Sequence, residues 1–246
     1  MSSYGVFADF YDSLTLNVEY EKRAVHLLDV LKRHNHDAGL TLDLACGTGN
    51  LTIVLKKLGV DIYGVDGSNE MLSVAQEKSA DEGLGLLFLC QKMQELDLYG
   101  TIDTCLCTLD SINHMTREDD VQQTFDKVSL FMNAGGLFVF DVNTVFKHRE
   151  ILADNTFVYD CEDVFCVWQN SLKENNTVDM DLTFFIPEDG LFERADEHFS
   201  ERAYSDSKIK SMLEKSGFKV ESVYADMSFD EVKKDTQRAV YVARKI

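Results

Sequence analysis

The chain has 246 residues, of which 45% are hydrophobic, and its 43 acidic against 24 basic residues give a net charge of −19. Such a length and apolar content suffice for one principal domain with a sizeable core, and the acidic excess disfavours a nucleic-acid partner because phosphates would be repelled. The sequence contains no run of about eighteen apolar residues and no basic N-terminal region followed by an apolar stretch, so we expect no membrane partner and a cytoplasmic location.

The first predicted element is a helix near the N-terminus. Residues 19–33 carry apolar side chains at helical spacing, among them Leu27, Leu28 and Leu31, and this periodicity is typical of an amphipathic helix. We expect residues 1–36 to form a helical cap over a ligand site in the following domain.

Strand-like and helix-like segments then alternate. The predicted strands are residues 41–45, 61–65, 86–90, 102–108 and 137–141, and the predicted helices are residues 51–58, 69–80 and 119–131. This alternation predicts an α/β fold with a doubly wound, mainly parallel sheet. In such sheets the ligand lies at the carboxyl ends of the strands.

The pattern changes between residues 146 and 203. Four segments of period-two alternation, broken by the polar turns 173–176 and 188–190, predict antiparallel hairpins. A helix at 206–215 and strands at 218–224 and 238–243 then resume the first pattern. We therefore expect a core of residues 37–145 and 204–246 with an inserted antiparallel sheet. This sheet is either a lid or acceptor platform, or a structural or dimerising element.

The segment Thr41-Leu-Asp-Leu-Ala-Cys-Gly-Thr-Gly-Asn50 leads a strand into a glycine turn and a helix. Gly47 and Gly49 let the backbone turn sharply and approach a ligand closely, and the amides of the next helix favour an anion there. The next predicted strand ends at Asp66, an acid suited to binding both hydroxyls of a ribose. Together these features predict a cofactor that contains adenosine.

Two residues bear on which cofactor this is. A dinucleotide site requires Gly-x-Gly-x-x-Gly, but the third glycine position is Thr52. Asp43 would repel a pyrophosphate yet attract a cationic amino group. S-adenosylmethionine carries an ammonium and a sulfonium and no phosphate, so it fits better than NAD or FAD.

The motif Asp43-Leu-Ala-Cys-Gly47-Thr-Gly49 resembles the first signature of the class I S-adenosylmethionine-dependent methyltransferases. Three further segments resemble a bacterial subgroup that acts on small molecules: Tyr4-x-x-Phe7-Ala-x-x-Tyr11-Asp12, Leu109-Asp-Ser-Ile-Asn113-His114 and Asp141-Val-Asn-Thr144. The resemblance implies a Rossmann-like seven-stranded sheet and methyl transfer to an unidentified small-molecule acceptor, with S-adenosylhomocysteine as product.

The expected cofactor site follows from these motifs. Asp43 lies near the ammonium, Asp66 binds the ribose, Ser68 caps the next helix, and Met71 packs either on the adenine or in the core. Lys92 stands where family members commonly carry an acid for the adenine amino group, so adenine recognition passes to Gln91 or to backbone amides. The expected cofactor-binding residues are Asp43, Ala45, Cys46, Gly47, Gly49, Asp66, Gly67, Ser68, Met71, Gln91, Lys92, Met93, Leu109 and Asp110.

Methyl transfer is an in-line displacement at an activated carbon, so the enzyme mainly aligns donor and acceptor. A general base is needed only for an acceptor that arrives protonated, such as an amine or a phenol. The candidate catalytic residues are His114, His198, Tyr11 and Asn113, with Tyr20 and Asn143 as further orienting groups. No metal is expected, although Cys105 and Cys107 share a strand face.

Other functions remain open from the sequence alone. The same pocket could belong to a non-catalytic S-adenosylmethionine sensor or partner-binding protein, and a NAD-dependent oxidoreductase is disfavoured by Thr52 and Asp43. Protein or RNA remains an alternative acceptor. The chain is expected to be a monomer or a homodimer.

Overall fold

The computed structural model describes residues 5–246, with side chains from residue 7 onward. Tyr4, which begins the N-terminal motif, lies outside this range. The helices are α1 Gly5–Leu14, α2 Tyr20–Arg33, α3 Asn50–Lys57, α4 Asn69–Asp81, α5 Glu118–Phe131 and α6 Asp206–Lys215. The strands are β1 Leu40–Leu44, β2 Asp61–Asp66, β3 Phe88–Cys90, β4 Ile102–Cys107, β5 Met132–Asn143, β6 Thr156–Asp160, β7 Phe165–Leu172, β8 Thr177–Glu188, β9 Leu191–Arg202, β10 Phe218–Ala225 and β11 Arg238–Lys245.

Seven strands form the main sheet in the order β10-β11-β5-β4-β1-β2-β3. β1 pairs in parallel with β2 and β4, whereas β11 runs antiparallel to both β5 and β10. The predicted doubly wound, mainly parallel fold is therefore confirmed. Because the parallel strands share one direction, their carboxyl ends meet at one edge of the sheet.

Both faces of the main sheet are buried, which is why its strands read as continuous apolar runs. In β5, Phe138 and Phe140 belong to the apolar cluster that includes α5 and α6, whereas the alternating Leu137 and Val139 belong to the cluster that includes α2 and α3. Each face of the sheet thus packs against its own layer of helices.

The second sheet has four antiparallel strands in the order β6-β7-β8-β9. We call residues 156–202 the lobe. In β8, Val178, Met180, Leu182 and Phe184 alternate with more exposed residues and are buried, as expected for a sheet with one covered face. The inserted antiparallel sheet predicted from the sequence is present.

The N-terminal segment, which we predict to be a helical cap, contains two helices. The helix expected at residues 19–33 is α2, and its buried face packs on the main sheet. The additional helix α1 packs on the lobe instead, where the Phe7 ring lies 6.4 Å from Phe184 and 6.1 Å from Phe199. The helix α1 also packs against Met71 of α4, so it contacts both the lobe and the core.

Candidate active site

The turn after β1 presents bare backbone to a cavity. Gly47 and Gly49 have φ values of 54° and 75°, in the left-handed region that favours glycine. A Cβ on Gly49 would lie 2.9 Å from the Cβ of Ala75, so close packing against α4 also requires glycine. A Cβ on Gly47 would meet nothing within 4 Å. Gly47 therefore borders open space just before the N-terminus of α3.

Asp66 ends β2 and holds this turn in place. Its carboxylate accepts hydrogen bonds from the backbone N–H groups of Gly47 at 2.8 Å and Ser68 at 2.9 Å. Burial raises the pKa of Asp66, against the effect of these amides. Each carboxylate oxygen has a second lone pair, so the group is able to accept hydrogen bonds from a diol as well. The Ser68 hydroxyl accepts from the Met71 N–H at 3.2 Å, which confirms that Ser68 caps α4.

Asp43 is buried beside the same turn and lines the cavity. The Thr52 hydroxyl donates to its carboxylate at 2.5 Å, so the residue that replaces the third dinucleotide glycine instead supports the acid. Desolvation, together with the nearby charge of Asp66, raises the pKa of Asp43 to about 7. An ammonium group in the cavity would offset this desolvation, since an isolated buried carboxylate is costly.

The cavity itself lies between the turn and the N-terminal helices. It is lined by Tyr11, Tyr20, Asp43, Ala45, Cys46, Gly47, Thr48, Asn50, Leu51, Thr108, Leu109 and Ser111. Its volume is about 30 Å³, whereas sites for ligands of drug size occupy roughly 300 to 1,000 Å³. The cavity therefore encloses much less space than a nucleoside cofactor fills, and Asp66 is not among the residues that line it.

Asp12 connects the helix α1 to the glycine turn and to α4. Its carboxylate accepts hydrogen bonds from the Thr48 hydroxyl at 2.7 Å and the Asn50 side-chain amide at 2.8 Å, and it forms an ion pair with Lys78. We call these contacts the Asp12 latch. Sequence reasoning missed Thr48 and Asn50 as lining residues, although their positions directly after the β1 motif were the available signal.

The segment after β3 carries the residues that the sequence analysis expects to recognise the adenine. Both polar groups of the Gln91 side chain bind the backbone of Asp97, at 2.9 Å and 2.8 Å. Lys92 is exposed and lies 3.9 Å from Glu95. Met71 is buried in an apolar cluster with Phe7 of α1, as the core alternative for this residue expects.

A second group of polar residues lies at the ends of β4, β5 and β11. Leu109 and Asp110 have φ values of 57° and 55°, and the Asp141 carboxylate accepts both of their backbone N–H groups, at 2.9 Å and 2.7 Å. Arg238 binds Asp110 and Asp141, each at 2.6 Å. Although burial opposes it, the charges of Arg238 and Lys147 hold the pKa of Asp110 well below its usual range.

His114 lies between the cofactor turn and the lobe. Its side chain is 29% exposed, its Nε2 lies 3.5 Å from Oε1 of Glu201, and its ring lies 5.3 Å from that of Phe199. Burial lowers the pKa of His114, and the charges of Asp110 and Asp66 oppose this change. Since the unperturbed pKa of histidine is about 6.5, His114 is a neutral base at pH 7.

A metal ion at this point would have to compete with Arg238 and Asn143 for the carboxylate of Asp110. Asp110, His114 and Glu201 can bring their donor atoms within 4.8 Å of one another. The two oxygens of Asp110, however, already bind Arg238 at 2.6 Å and the Asn143 side-chain amide at 2.8 Å. The site residues present are therefore better described as a charge network than as a set of metal ligands.

Two candidate catalytic residues require correction. Asn113 is fully buried and uses its amide on backbone groups: it donates to the carbonyls of Asn143 and Arg202 and accepts from the Asn143 N–H. This role is structural, because it joins β5 to β9. His198 is 57% exposed and pairs with Asp181. Strand alternation puts it on the face of β9 opposite that of Phe199, so it is removed from the site.

Tyr11 remains in the site. It lines the cavity from α1, and Tyr20 of α2 lines the same cavity. Burial, with smaller effects from Tyr20 and Asp110, raises the pKa of its phenol well above the usual value. Tyr11 therefore stays protonated at neutral pH, which does not suit a general base.

The fold and the site define a class of protein. A mainly parallel seven-stranded sheet, a glycine turn after β1 and an acid at the end of β2 are the features of the class I methyltransferase fold. Comparison with known proteins supports this: a model of the methyltransferase domain matches residues 41–136.

Relatives match over nearly the whole chain. A protein of Geobacillus sp. (strain WCH70), provisionally named a methyltransferase, is 32% identical over 99% of this chain and 100% of its own length. A protein of Bacillus subtilis (strain 168), provisionally named methyltransferase YqeM, is 32% identical over 98% of this chain and 97% of its own. The chain belongs to this family of S-adenosylmethionine-dependent methyltransferases.

Solved structures agree with this assignment. An S-adenosylmethionine-dependent methyltransferase from Clostridium acetobutylicum ATCC 824 superposes with a TM-score of 0.89, at 33% identity and over 98% of both chains. The fold is also that of CalS10, an amino pentose methyltransferase from Micromonospora echinaspora with S-adenosylmethionine bound, with a TM-score of 0.77 and 16% identity over 96% of both chains. The cofactor is S-adenosylmethionine, and the oxidoreductase alternative is set aside. Among the described residues, no helix is long and apolar enough to cross a bilayer.

Proposed function

We propose that the enzyme methylates a small molecule whose nucleophilic atom carries a proton, and that His114 accepts this proton. The observation that carries the proposal is the position of His114. It is partly exposed, neutral at pH 7, close enough to Asp66 for that charge to affect its pKa, and in contact with the lobe through Phe199. A base placed there faces both the cofactor and the lobe.

The donor's place follows from the glycine turn. Asp43 pairs with the ammonium of the cofactor, Gly47 admits its methionine portion, and Asp66 binds the ribose hydroxyls. Leu109, which lines the cavity after β4, contacts the sulfur and the transferable methyl group. The remaining wall of the acceptor site is then formed by α1 and by Phe199 of the lobe, whose ring lies beside that of His114, which supports a role of the lobe in selecting the acceptor.

The reaction needs little beyond alignment and removal of one proton. The nucleophile's electron pair forms a bond to the methyl carbon, the C–S bond breaks toward sulfur to give S-adenosylhomocysteine, and the nucleophile's proton passes to His114. Orientation of the two reactants lowers the activation free energy by roughly 7 to 11 kcal/mol. General-base catalysis increases the rate by a further factor of about 10² to 10⁴.

A small-molecule acceptor is supported by the negative charge of −19 and by the printed descriptions of structural neighbours such as the amino pentose methyltransferase CalS10. The test supplies purified enzyme with methyl-tritiated S-adenosylmethionine and a bacterial extract divided into low-mass, protein and RNA fractions. We expect label in the low-mass fraction. Label confined to protein or RNA would overturn the proposed acceptor class.

Two variants test whether His114, and not His198, is the base. His114→Gln should lower the rate of labelling about 10² to 10⁴-fold, whereas His198→Gln, on the outer face of β9, should leave it unchanged. Equal loss in both variants, or full activity in His114→Gln, would contradict the role of His114.

A further inference from the structure

The order of the strands indicates where the base of the cofactor lies. In the main sheet β1, β2 and β3 are neighbours, and β3 is the edge strand. Our proposal for the donor puts the methionine portion at the end of β1 and the ribose at Asp66, the last residue of β2. A nucleoside that continues in the same direction along this edge brings its base to the end of β3, one strand spacing of about 4.8 Å further on.

Two contacts hold the segment after β3 directly beside the ribose-binding acid. The backbone N–H of Gln91 donates to the carbonyl oxygen of Asp66 at 2.9 Å. A Cβ on Gly67, the next residue, would lie 3.6 Å from Cγ of Lys92. The stem of Lys92 therefore passes along the backbone that follows Asp66, and side chains of this segment are within reach of a base attached to the ribose.

The side chain of Gln91 is already used within the protein. Its oxygen accepts from the Asp97 N–H at 2.8 Å, and its amide group donates to the Asp97 carbonyl at 2.9 Å. These two bonds close the loop of residues 91–97, and Gln91 would have to give them up in order to bind a base with the same atoms. This favours other side chains of the segment as contacts for the adenine.

Lys92 and Glu95 lie side by side in this segment. They flank a single 3₁₀ turn, which the Glu95 N–H closes by donating to the Lys92 carbonyl at 2.9 Å. Side chains three residues apart eclipse in such a turn, and Nζ of Lys92 lies 3.9 Å from Oε1 of Glu95. The two side chains are 63% and 65% exposed. An exposed pair of this kind contributes little to stability, and both charged groups are accessible to a ligand.

We propose that Glu95 accepts a hydrogen bond from the 6-amino group of the adenine and that Lys92 donates one to the adjacent ring nitrogen, N1. The 6-amino group is a donor and N1 is an acceptor, and they are neighbours on one edge of the base. A carboxylate beside an ammonium presents the complementary pair, since the first only accepts and the second only donates.

The pairing accounts for a lysine at a position where an acid is expected. Lys92 alone would leave the 6-amino group of the adenine without an acceptor, because an ammonium has none. Glu95, three residues further along the chain, supplies that acceptor. The acid that recognises the amino group is thus moved by one 3₁₀ turn, and the lysine binds the neighbouring atom. The sequence analysis did not single out Glu95.

Analogues of S-adenosylhomocysteine test the two contacts separately. One analogue carries hydrogen in place of the 6-amino group, and the other carries C–H in place of N1. Calorimetric titration gives the affinity of each without any turnover. We expect the wild-type protein to bind each analogue about three- to tenfold more weakly than S-adenosylhomocysteine, because each analogue has lost one hydrogen bond.

Substitutions assign each contact to its side chain. Glu95→Leu should bind S-adenosylhomocysteine and the analogue without the 6-amino group equally, while it still discriminates against the analogue without N1. Lys92→Met should show the reverse pattern. Glu95→Gln keeps an acceptor oxygen and should retain both preferences. The control is Lys219→Met, an exposed position on β10 at the opposite edge of the sheet, which changes the charge equally and should bind all three ligands like the wild type.

Equal affinity of the wild type for all three ligands would overturn the proposal. So would a preference for the 6-amino group that persists in Glu95→Leu, because another acceptor would then bind that group. Lys92 and Glu95 are exposed, so their substitution should change the stability of the fold by less than about 0.5 kcal/mol. No methyl acceptor is used, so these results are independent of the proposed small-molecule function and of the role of His114.

Discussion

The two halves of the active-site edge are built in different ways. The half that we propose for the cofactor is formed by the ends of β1 and β2 and uses contacts local in the chain, such as Asp66 to Gly47, 19 residues apart. The half that we propose for the acceptor, called the acceptor half below, joins β4, β5, β9 and β11, and its central contact, Arg238 to Asp110, spans 128 residues. A local motif can be recognised in a sequence, whereas a network assembled from four strands depends on the complete fold.

The largest expected effect concerns the cofactor half. Asp66→Ala removes two charge-assisted hydrogen bonds to the ribose, each contributing at least about 1.5 kcal/mol, so affinity for S-adenosylhomocysteine should fall at least about a hundredfold. Calorimetric titration measures it. The control is Asp61→Ala at the exposed start of the same strand, for which we expect wild-type affinity. Retained affinity in Asp66→Ala would show that the ribose lies elsewhere.

The pH dependence of cofactor binding tests Asp43. Its pKa is raised to about 7, and only the ionised carboxylate pairs with the cofactor's ammonium. Affinity should therefore fall as the pH drops below 7, approaching about tenfold per pH unit. Titrations between pH 5.5 and 8.5 measure this slope, and Asp43→Asn should remove it. An unchanged slope in that variant would assign the effect to another group, such as Asp66.

In the unliganded protein, the raised pKa of Asp43 makes the free energy of unfolding decrease as the pH rises, whereas cofactor affinity increases with pH. For an acid whose folded pKa lies above its unfolded value, the contribution to the free energy of unfolding is present at low pH and is lost as the pH rises. For Asp43 this window extends from 3.8 to about 7. Chemical denaturation of wild type and Asp43→Asn across that range should therefore diverge as the pH rises, with the variant the more stable.

A substitution of Asn113 tests whether its hydrogen bonds, which connect β5 of the core with β9 of the lobe, stabilise the fold. Asn113→Ala leaves a buried backbone N–H and carbonyl of Asn143 without partners, which should cost about 2 to 3 kcal/mol of unfolding free energy. Thermal or chemical denaturation measures the loss. Asn133→Ala, which removes an exposed hydrogen bond to Asp103 on the same sheet, should cost less than Asn113→Ala, about 1 kcal/mol. A variant of wild-type stability that has lost turnover would return Asn113 to a catalytic role.

The smallest predicted effect concerns the Asp12 latch. Asp12→Ala removes the hydrogen bonds to Thr48 and Asn50, so α1 should open more readily and the cofactor should exchange severalfold faster. Stopped-flow displacement of bound S-adenosylhomocysteine measures the exchange rate. Asp9→Ala, an exposed position on the same helix, is the control. An unchanged exchange rate would mean that α1 does not gate the cavity.

The sequence was sufficient for the main sheet and the cofactor turn because each depends on short-range signals. Period-two and helical spacing defined the strands and helices, and Asp43, Gly47 and Asp66 stand at fixed distances from them. The predicted helical cap did not separate α1 from α2, because α1 packs on the lobe, which lies far away in the chain, as the contact of Phe7 with Phe184 shows.

The acceptor half could not be predicted to the same degree. His114 and His198 were equivalent candidates in the sequence, and only the fold separates them, because one faces Glu201 and the other faces Asp181. The buried Phe199 beside His198 was the available signal, since neighbouring residues of a strand face opposite ways. Asn113 was read as catalytic because nothing local shows that its amide binds the backbone of β5 and β9.

The most direct test of this division compares Asp66→Ala with His114→Ala in calorimetric titrations with S-adenosylhomocysteine. If the two halves have separate tasks, Asp66→Ala loses at least about a hundredfold in affinity while His114→Ala stays within severalfold of wild type. Equal losses in the two variants, or wild-type affinity in Asp66→Ala, would contradict the assignment of cofactor binding to the ends of β1 and β2.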